Sequence, residues 1–437
     1  LPYLPHNRSD VIFMPHLGEP VFSKDPRQGI WLGFTVTYVA MQLAYFMGFS
    51  EVILIGVDHS FVTEGPPNVE VVSEGEDLNH FSKEYFGEGT RWQLPDLHNS
   101  EIYYGLANIV YQSDERKIID ATLNGKLDVF PKVNYKQYLT GSSSEEHIHH
   151  SSQNKNYQQD IKLSTIIRTQ NDPVALQSSL ASLKTQTIAD ELEIIVVEDN
   201  PQDSEREIVR TFLKQFPLSS SISTADETAA DAWNRGIYKA GGEYIATINA
   251  GDIFRDDALE LLISALEAHP EADAAYSHTV WSSTPKKKFV IKNKDQKIIY
   301  PLYSPESSMF FPFLGRHAII RRSLFETIGI FHNFFKYESY FDFQMRYTAA
   351  KKKVVLVPEI LSNLHKKTPA TEEDTKIARA ELQIIYKKYR TIMPISCLFA
   401  LESNLGEEAA KAWTALGNRA IRFNLPWEET PKQDLAY

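Results

Sequence analysis

Three apolar runs in this sequence stop at polar side chains. "LSTIIRTQN" (163–171) ends in Thr169 and Asn171, "LEIIVVEDN" (192–200) in Glu198 and Asp199, and "EYIATINAGD" (243–252) in Asn249 and Asp252. Strands that each deliver polar groups to one edge form a ligand-binding pattern rather than a packing pattern, because ligands of open α/β sheets collect at the carboxyl ends of the strands. Asp252 has two readings. It is a carboxylate able to hold a divalent cation, or a strand-end residue that caps the helix written in "GDIFRDDALELL". The same edge rule marks Asp58, His59 and Asn124, which follow "EVILIGVDHSF" (51–61) and "KIIDAT" (117–122).

These residues need strands and helices to position them. In "GFTVTYVAMQLAYFMGF" (33–49), Val36, Val39, Ala40 and Leu43 fall at helical spacing and Gly48 is a natural stop. "EVILIGVDHSF" is a short β-branched apolar run, which predicts a strand buried on both faces. A helix over 101–112 and a strand over 117–122 follow. From residue 161 the alternation restarts. A strand leads to a helix over 172–187, with Asp172 as N-cap and Pro173 at its first position. Then come a strand over 192–200, a helix over 203–215, a short strand near 220–224, a helix around "AADAWNRGIYKAGG", and the strand before Asn249. Such alternation predicts parallel α/β layers. Between the two series, "GSSSEEHIHHSSQNKNYQQD" (141–160) is polar and Ser-rich, which reads as a linker whose His147, His149 and His150 have no fixed acidic or Cys partner nearby. Residues 366–437 read mostly as helices, "IARAELQIIYKKYR" the firmest. The expected fold is therefore α/β: two Rossmann-like parallel-sheet domains over 1–140 and 161–365, a linker, and a helical C-terminal extension.

Composition excludes some partners. The chain has 437 residues and a formal net charge of −12, which offers no field attractive to nucleic-acid phosphates. Triplets such as Lys286-Lys287-Lys288 read as solvated turns. The single cysteine, Cys397, rules out an intrachain disulfide framework and multi-cysteine metal sites. No apolar run reaches the roughly 18 residues of a membrane span, and no signal peptide is visible. These features predict a cytoplasmic protein. The opening "LPYLPHNRSD" has no methionine and reads as an internal start of a longer chain.

The series "STIIRTQN", "SLKTQT", "LEIIVVEDN", "WNRGIYKAGGEYIATINAGD" and "DDALELLISAL" resembles glycosyltransferase family 2, with the GT-A fold, over roughly residues 161–365. The resemblance implies a hexosyltransferase, inverting in type, that takes a nucleotide-sugar donor to a glycan or protein acceptor in surface-polysaccharide or glycoconjugate synthesis. It implies nucleotide-sugar binding by Thr169, Asn171, Glu198, Asp199, Asn234, Arg235 and Asn249, and a Mg2+ or Mn2+ ion on Asp252. Two departures stand out. Asn249 and Gly251 occupy the two carboxylate positions of the family's Asp-x-Asp motif. In "KYESYFDFQMRYTAA" (336–350), Ser339 stands where inverting members carry the base, so either Glu338 takes that role, or Asp342 does after a one-residue shift, or transfer is impaired. Arg168, Arg235 and Arg255 are the cations near these strand ends in sequence that could replace a metal.

Residues 30–131 resemble the C-terminal half of the MptE-like domain, on "GFTVTYVAMQLAYFMGFSEVILIGVDHSF", "NHFSKEYFGEG", "WQLPDL" and "IIDATLNGKLDVFPKV". That domain is similar to pterin diphosphokinases, to flagellin-modifying Maf transferases and, more distantly, to bacterial sialyltransferases. "LHNSEIYYGL" (97–106) resembles the sialyltransferase stretch that carries a general-base His, which falls on His98; an ordinary helix start with Ser100 as cap is the alternative. Asp58 and Asn124 are then expected at a nucleotide. Three functions stand at this point: a two-module glycosyltransferase, a non-catalytic sugar- or nucleotide-binding scaffold, and a pterin or nucleotide pyrophosphokinase centred on the first segment.

Overall fold

The computed structural model describes residues 14–61, 65–74, 87–139, 161–365 (apart from 170, 225–227, 294, 306 and 310) and 371–389. The linker expected over 141–160, its histidines, and the extension beyond 389 lie outside the described residues. The chain divides into two compact units, Leu1–Gln158 and Gln159–Tyr437.

The first unit holds α1 (Val36–Phe46), β1 (Glu51–Leu54), β2 (Glu70–Val72), β3 (Arg91–Gln93), α2 (Leu97–Ser113), β4 (Lys117–Asp120) and α3 (Tyr135–Leu139). β1 and β4 pair in parallel, Leu54 level with Asp120, as the alternation predicts. Two expectations are corrected. β1 is only four residues long and mostly half-buried, not buried on both faces. The helix α1 also turns a different face inward: Tyr38, Met41, Gln42 and Tyr45 are buried while Val36 is 81% exposed. The reason is aromatic packing. Phe22 meets Tyr38, Tyr45 and Tyr111 edge-on, and Tyr38 meets Tyr103. The buried Gln42 is satisfied, accepting from the Ser23 amide at 3.0 Å and donating to the Trp31 carbonyl at 2.8 Å.

The second unit is built on one sheet. Its elements are β5 (Leu163–Arg168), α4 (Pro173–Lys184), β6 (Leu192–Asp199), α5 (Asp203–Gln215), β7 (Ser219–Thr224), α6 (Ala229–Lys239), β8 (Tyr244–Asn249), β9 (Ile253–Phe254), α7 (Ala258–Ala268), β10 (Ala274–Ser282), β11 (Gln296–Ile298), β12 (Ala318–Arg321), α8 (Ser323–Ile328), α9 (Ser339–Ala349), β13 (Val354–His365) and α10 (Glu372–Tyr389). The order is β7-β6-β5-β8-β12-β10-β13-β9, with β11 on β10. The half β7-β6-β5-β8 is parallel, as expected. The other half departs from the parallel-sheet reading and makes the sheet mixed, because β12 runs antiparallel to both β8 and β10 and β9 runs antiparallel to β13.

Local chemistry explains the parallel half. β5, β6 and β8 are almost wholly buried, as near-continuous apolar runs must be between two helix layers. Asp172 caps α4 through the Ala175 amide at 2.9 Å, with Pro173 opening the helix. A Cβ on Gly236 would lie 2.4 Å from Ile166, so only glycine lets α6 ride this close on β5.

Candidate functional site

Parallel register brings the three strand ends side by side. Arg168, the last residue of β5, is level with Val197 of β6 on one flank and with Asn249 of β8 on the other. The buried Thr169 accepts from the Asp199 amide at 3.1 Å, and Arg168 donates to the Asp199 carboxylate at 2.6 Å. Glu198 is buried beside them, and Asn171 sits exposed in the following turn at φ +55°. Asn249 keeps a buried side-chain oxygen that accepts no hydrogen bond.

Asp252 is neither the expected cation ligand nor the alternative helix cap. Its carboxylate is fully buried, and three donors fill it with four hydrogen bonds. Arg316 Nη1 donates to both oxygens at 2.7 Å, the His365 amide to one at 2.8 Å and the Asn249 amide to the other at 2.9 Å. A carboxylate has about four lone-pair sites, so none is left for Mg2+ or Mn2+. Among the described residues, no group of three His, Cys, Asp or Glu side chains could hold a metal. Burial pushes the Asp252 carboxyl up from the ordinary range, against Arg316 and the two amides. The cap reading fails because β9 intervenes and α7 begins after Asp257. The turn is held from α4 as well: Ser179 Oγ donates to the Asp252 carbonyl at 2.6 Å and accepts from the Gly251 amide at 2.8 Å.

Arg316 was invisible to sequence reasoning, being 64 residues from its partner. It stands in the turn just before the antiparallel strand β12, whose Ile319 pairs with Ala246 of β8 and Ile320 with Ile245. Two of the nearer arginines are committed elsewhere: Arg168 to Asp199, and Arg255 to Asp257 and Glu359.

The catalytic candidates separate. Glu338 stands immediately before α9, half-buried, and burial together with the Glu381 carboxylate raises its carboxyl to about 7. Asp342 is fully buried, bound by Arg346 at 3.0 Å and Lys388 at 3.2 Å, with Tyr389 donating to it. These cations hold its carboxyl below the usual range despite burial, so the shift that would make it a base meets a structural ion knot between α9 and α10. Asn234, expected at the nucleotide, instead clamps the backbone of Phe331, donating to its carbonyl at 2.8 Å and accepting from its amide at 3.0 Å. Arg235 lies beside it on α6 and is half-buried.

In the first unit, the loop after β1 is tied to its neighbours. Asp58 accepts the Lys126 amide through its carbonyl at 2.8 Å, which joins it to the turn holding Asn124 at φ +58°. His59 stands 3.7 Å from Glu101 on α2, the turn after His98. The three expected residues thus sit on loops gathered at one end of the β1–β4 pair. Asp96, not Ser100, caps α2, accepting from the Asn99 amide at 3.0 Å, which places His98 within the first turn.

Residues 164–335 match the family model described as glycosyl transferase family 2. An uncharacterized glycosyltransferase of Escherichia coli (strain K12), YibD, is 34% identical over 132 residues, 28% of this chain and 38% of that protein. The poly-beta-1,6-N-acetyl-D-glucosamine synthase of Staphylococcus epidermidis is 27% identical over 118 residues, 27% of this chain and 28% of that protein. The chain thus spans well under half the length of these curated relatives. Among solved structures, residues 1–349 of S. aureus TarS in complex with UDP-GlcNAc align with a TM-score of 0.42 at 18% identity, over 60% of this chain and 73% of that one. The family expected for 161–365 is thereby met over 164–335.

Proposed function

We propose that the chain is a glycosyltransferase that moves a sugar from a nucleotide-sugar donor to a glycan or protein acceptor during surface-polysaccharide or other glycoconjugate synthesis. One observation carries the reading: the polar ends of β5, β6 and β8 lie side by side within the stretch that matches the family 2 model. Thr169, Glu198 and Asp199 are the groups proposed to receive the nucleoside. Glu338 is proposed as the base. The acceptor oxygen attacks the anomeric carbon, the bond from that carbon to the diphosphate oxygen breaks, and Glu338 takes the hydroxyl proton, in a single inverting displacement. A carboxyl raised to about 7 is matched to that task near neutral pH. The name of the Staphylococcus relative supports polysaccharide as the product class. The first unit is read as a partial MptE-like domain with Asp58, His98 and Asn124 on its own cleft.

Glu338→Gln tests this. Donor turnover across UDP-, GDP-, dTDP- and CMP-sugars should rise with pH through about 7 in the natural chain, and the variant should lose it by on the order of 100-fold. The same variant has a stability signature. A carboxyl raised in the fold favours its protonated form, so the natural chain loses stability between about 4.5 and about 7, and Gln does not. The variant should gain about 1–2 kcal/mol at pH 8 relative to pH 4, reduced from full desolvation because Glu338 is partly exposed. Unchanged turnover in the variant would remove Glu338 from the base role.

A second reading has its own observation. A Cβ at Gly251 would lie 2.6 Å from the His365 ring, so this turn has no room for the family's second carboxylate. A non-catalytic scaffold would bind donor yet show no turnover with any sugar.

A further inference from the structure

The metal expected at the strand edge does not fit the residues that are there, and the residue that displaces it has donors to spare. Arg316 Nη1 lies 2.7 Å from both oxygens of Asp252. Its Nε and Nη2 groups have no acceptor among the described residues, and its side chain is 22% exposed. The guanidinium is therefore fixed at one nitrogen and open along its other edge. A planar fork held in that way matches two oxygens of a phosphate.

We propose that Arg316, positioned by Asp252, takes the place of the divalent cation and binds the diphosphate of the donor directly, which rests on the glycosyltransferase reading above. Four observations converge on this. Arg316 binds the carboxylate that also accepts the Asn249 amide, and Asn249 is level with Arg168 at the edge where Thr169 and Asp199 meet. Asp252 is saturated, so a cation could enter only by expelling Arg316. Gly251 excludes a second carboxylate, because His365 fills the space beside it. Arg168 and Arg255 are each paired with carboxylates and are not free to serve. The Arg316–Asp252 pair is formally neutral, so it contributes directed N–H donors rather than net charge. Asp252 acts as a positioning residue, and Arg316 is the group that touches the ligand.

Calorimetric titration of the full chain with UDP, GDP, CDP and dTDP, in EDTA and in excess Mn2+, tests the assignment. The expected result is one nucleotide bound with the same affinity, within about twofold, in both conditions. Arg316→Gln should weaken that binding by at least about tenfold, the loss of charge-assisted hydrogen bonds. Because Arg316→Gln leaves Asp252 buried without its partner, the double variant Arg316→Gln/Asp252→Asn is the control for folding. Circular dichroism should find it folded, with the same loss of affinity. Binding by the natural chain only when Mn2+ is present would overturn the proposal and leave the glycosyltransferase reading standing. A folded double variant that binds as tightly as the natural chain would also overturn it. Failure of the natural chain to bind any of the four nucleotides in either condition would overturn both the proposal and the donor-site reading.

Discussion

At the scale of single residues, the turn 249–252 is held by groups from distant parts of the chain. Asn249 and Gly251 were visible as departures because their neighbours in the chain set the motif. Arg316 and His365 were not, since they reach Asp252 across 64 and 113 residues. Asn234 illustrates the same limit: its role depends on Phe331, 97 residues away. Gly251 now carries a physical requirement. Its φ is +100°, a region L side chains rarely adopt, and its absent Cβ is replaced by the His365 ring. Gly251→Ala should therefore cost about 2–4 kcal/mol, the sum of backbone strain and overpacking. Adding His365→Ala should recover the steric part and leave the strain. Thermal unfolding of the natural chain and these two variants checks this, and a neutral Gly251→Ala would mean that the turn relaxes freely. By the same argument Gly251→Asp should destabilise the turn without creating a Mn2+ site.

At the scale of elements, the parallel half was legible and the mixed half was not. β5 to β8 alternate with helices at short spacing, and α5 begins and ends where the apolar pattern says. β10, β12 and β13 pair over long loops, with an irregular register between Ser277 and Thr279, which no local periodicity encodes. The docking of α10 was equally hidden. Glu381, buried on α10, accepts the amides of Lys336, Tyr337 and Glu338 at 2.7, 2.9 and 3.0 Å. Ile385 and Tyr389 pack with Met309, Phe335 and Met345 below it. One carboxylate thus orders the loop that presents the proposed base. Glu381→Ala should cost about 2–4 kcal/mol, because buried amides lose their acceptor. Glu381→Gln keeps an acceptor and removes the charge that helps raise Glu338. It should shift the rising limb of the donor-turnover profile toward lower pH. A limb that stays at about 7 would assign the rise to burial alone or to another group.

At the scale of the molecule, the division into two units makes a claim about where the donor site is complete. Each group in the proposed site lies in Gln159–Tyr437: Thr169, Glu198, Asp199, Asp252, Arg316, Glu338 and His365. Their partners lie there too, since Arg168 holds Asp199, Ser179 holds the 249–252 turn, and Glu381 holds the loop before α9. The apolar core under this site runs without interruption from Leu163 to Leu361, drawing on both halves of the sheet and on α4, α5 and α7. The aromatic cluster of Phe22, Tyr38, Tyr45, Tyr103 and Tyr111 is likewise internal to the first unit. The apolar core and the proposed donor contacts are thus both local to the second unit, as expected for a domain with its own core. A fragment spanning 159–437 should unfold in one cooperative transition. It should bind the nucleotide selected by the full chain with an affinity within about twofold. A fragment that folds but binds more than about tenfold more weakly would show that the second unit by itself does not hold the donor as the full chain does.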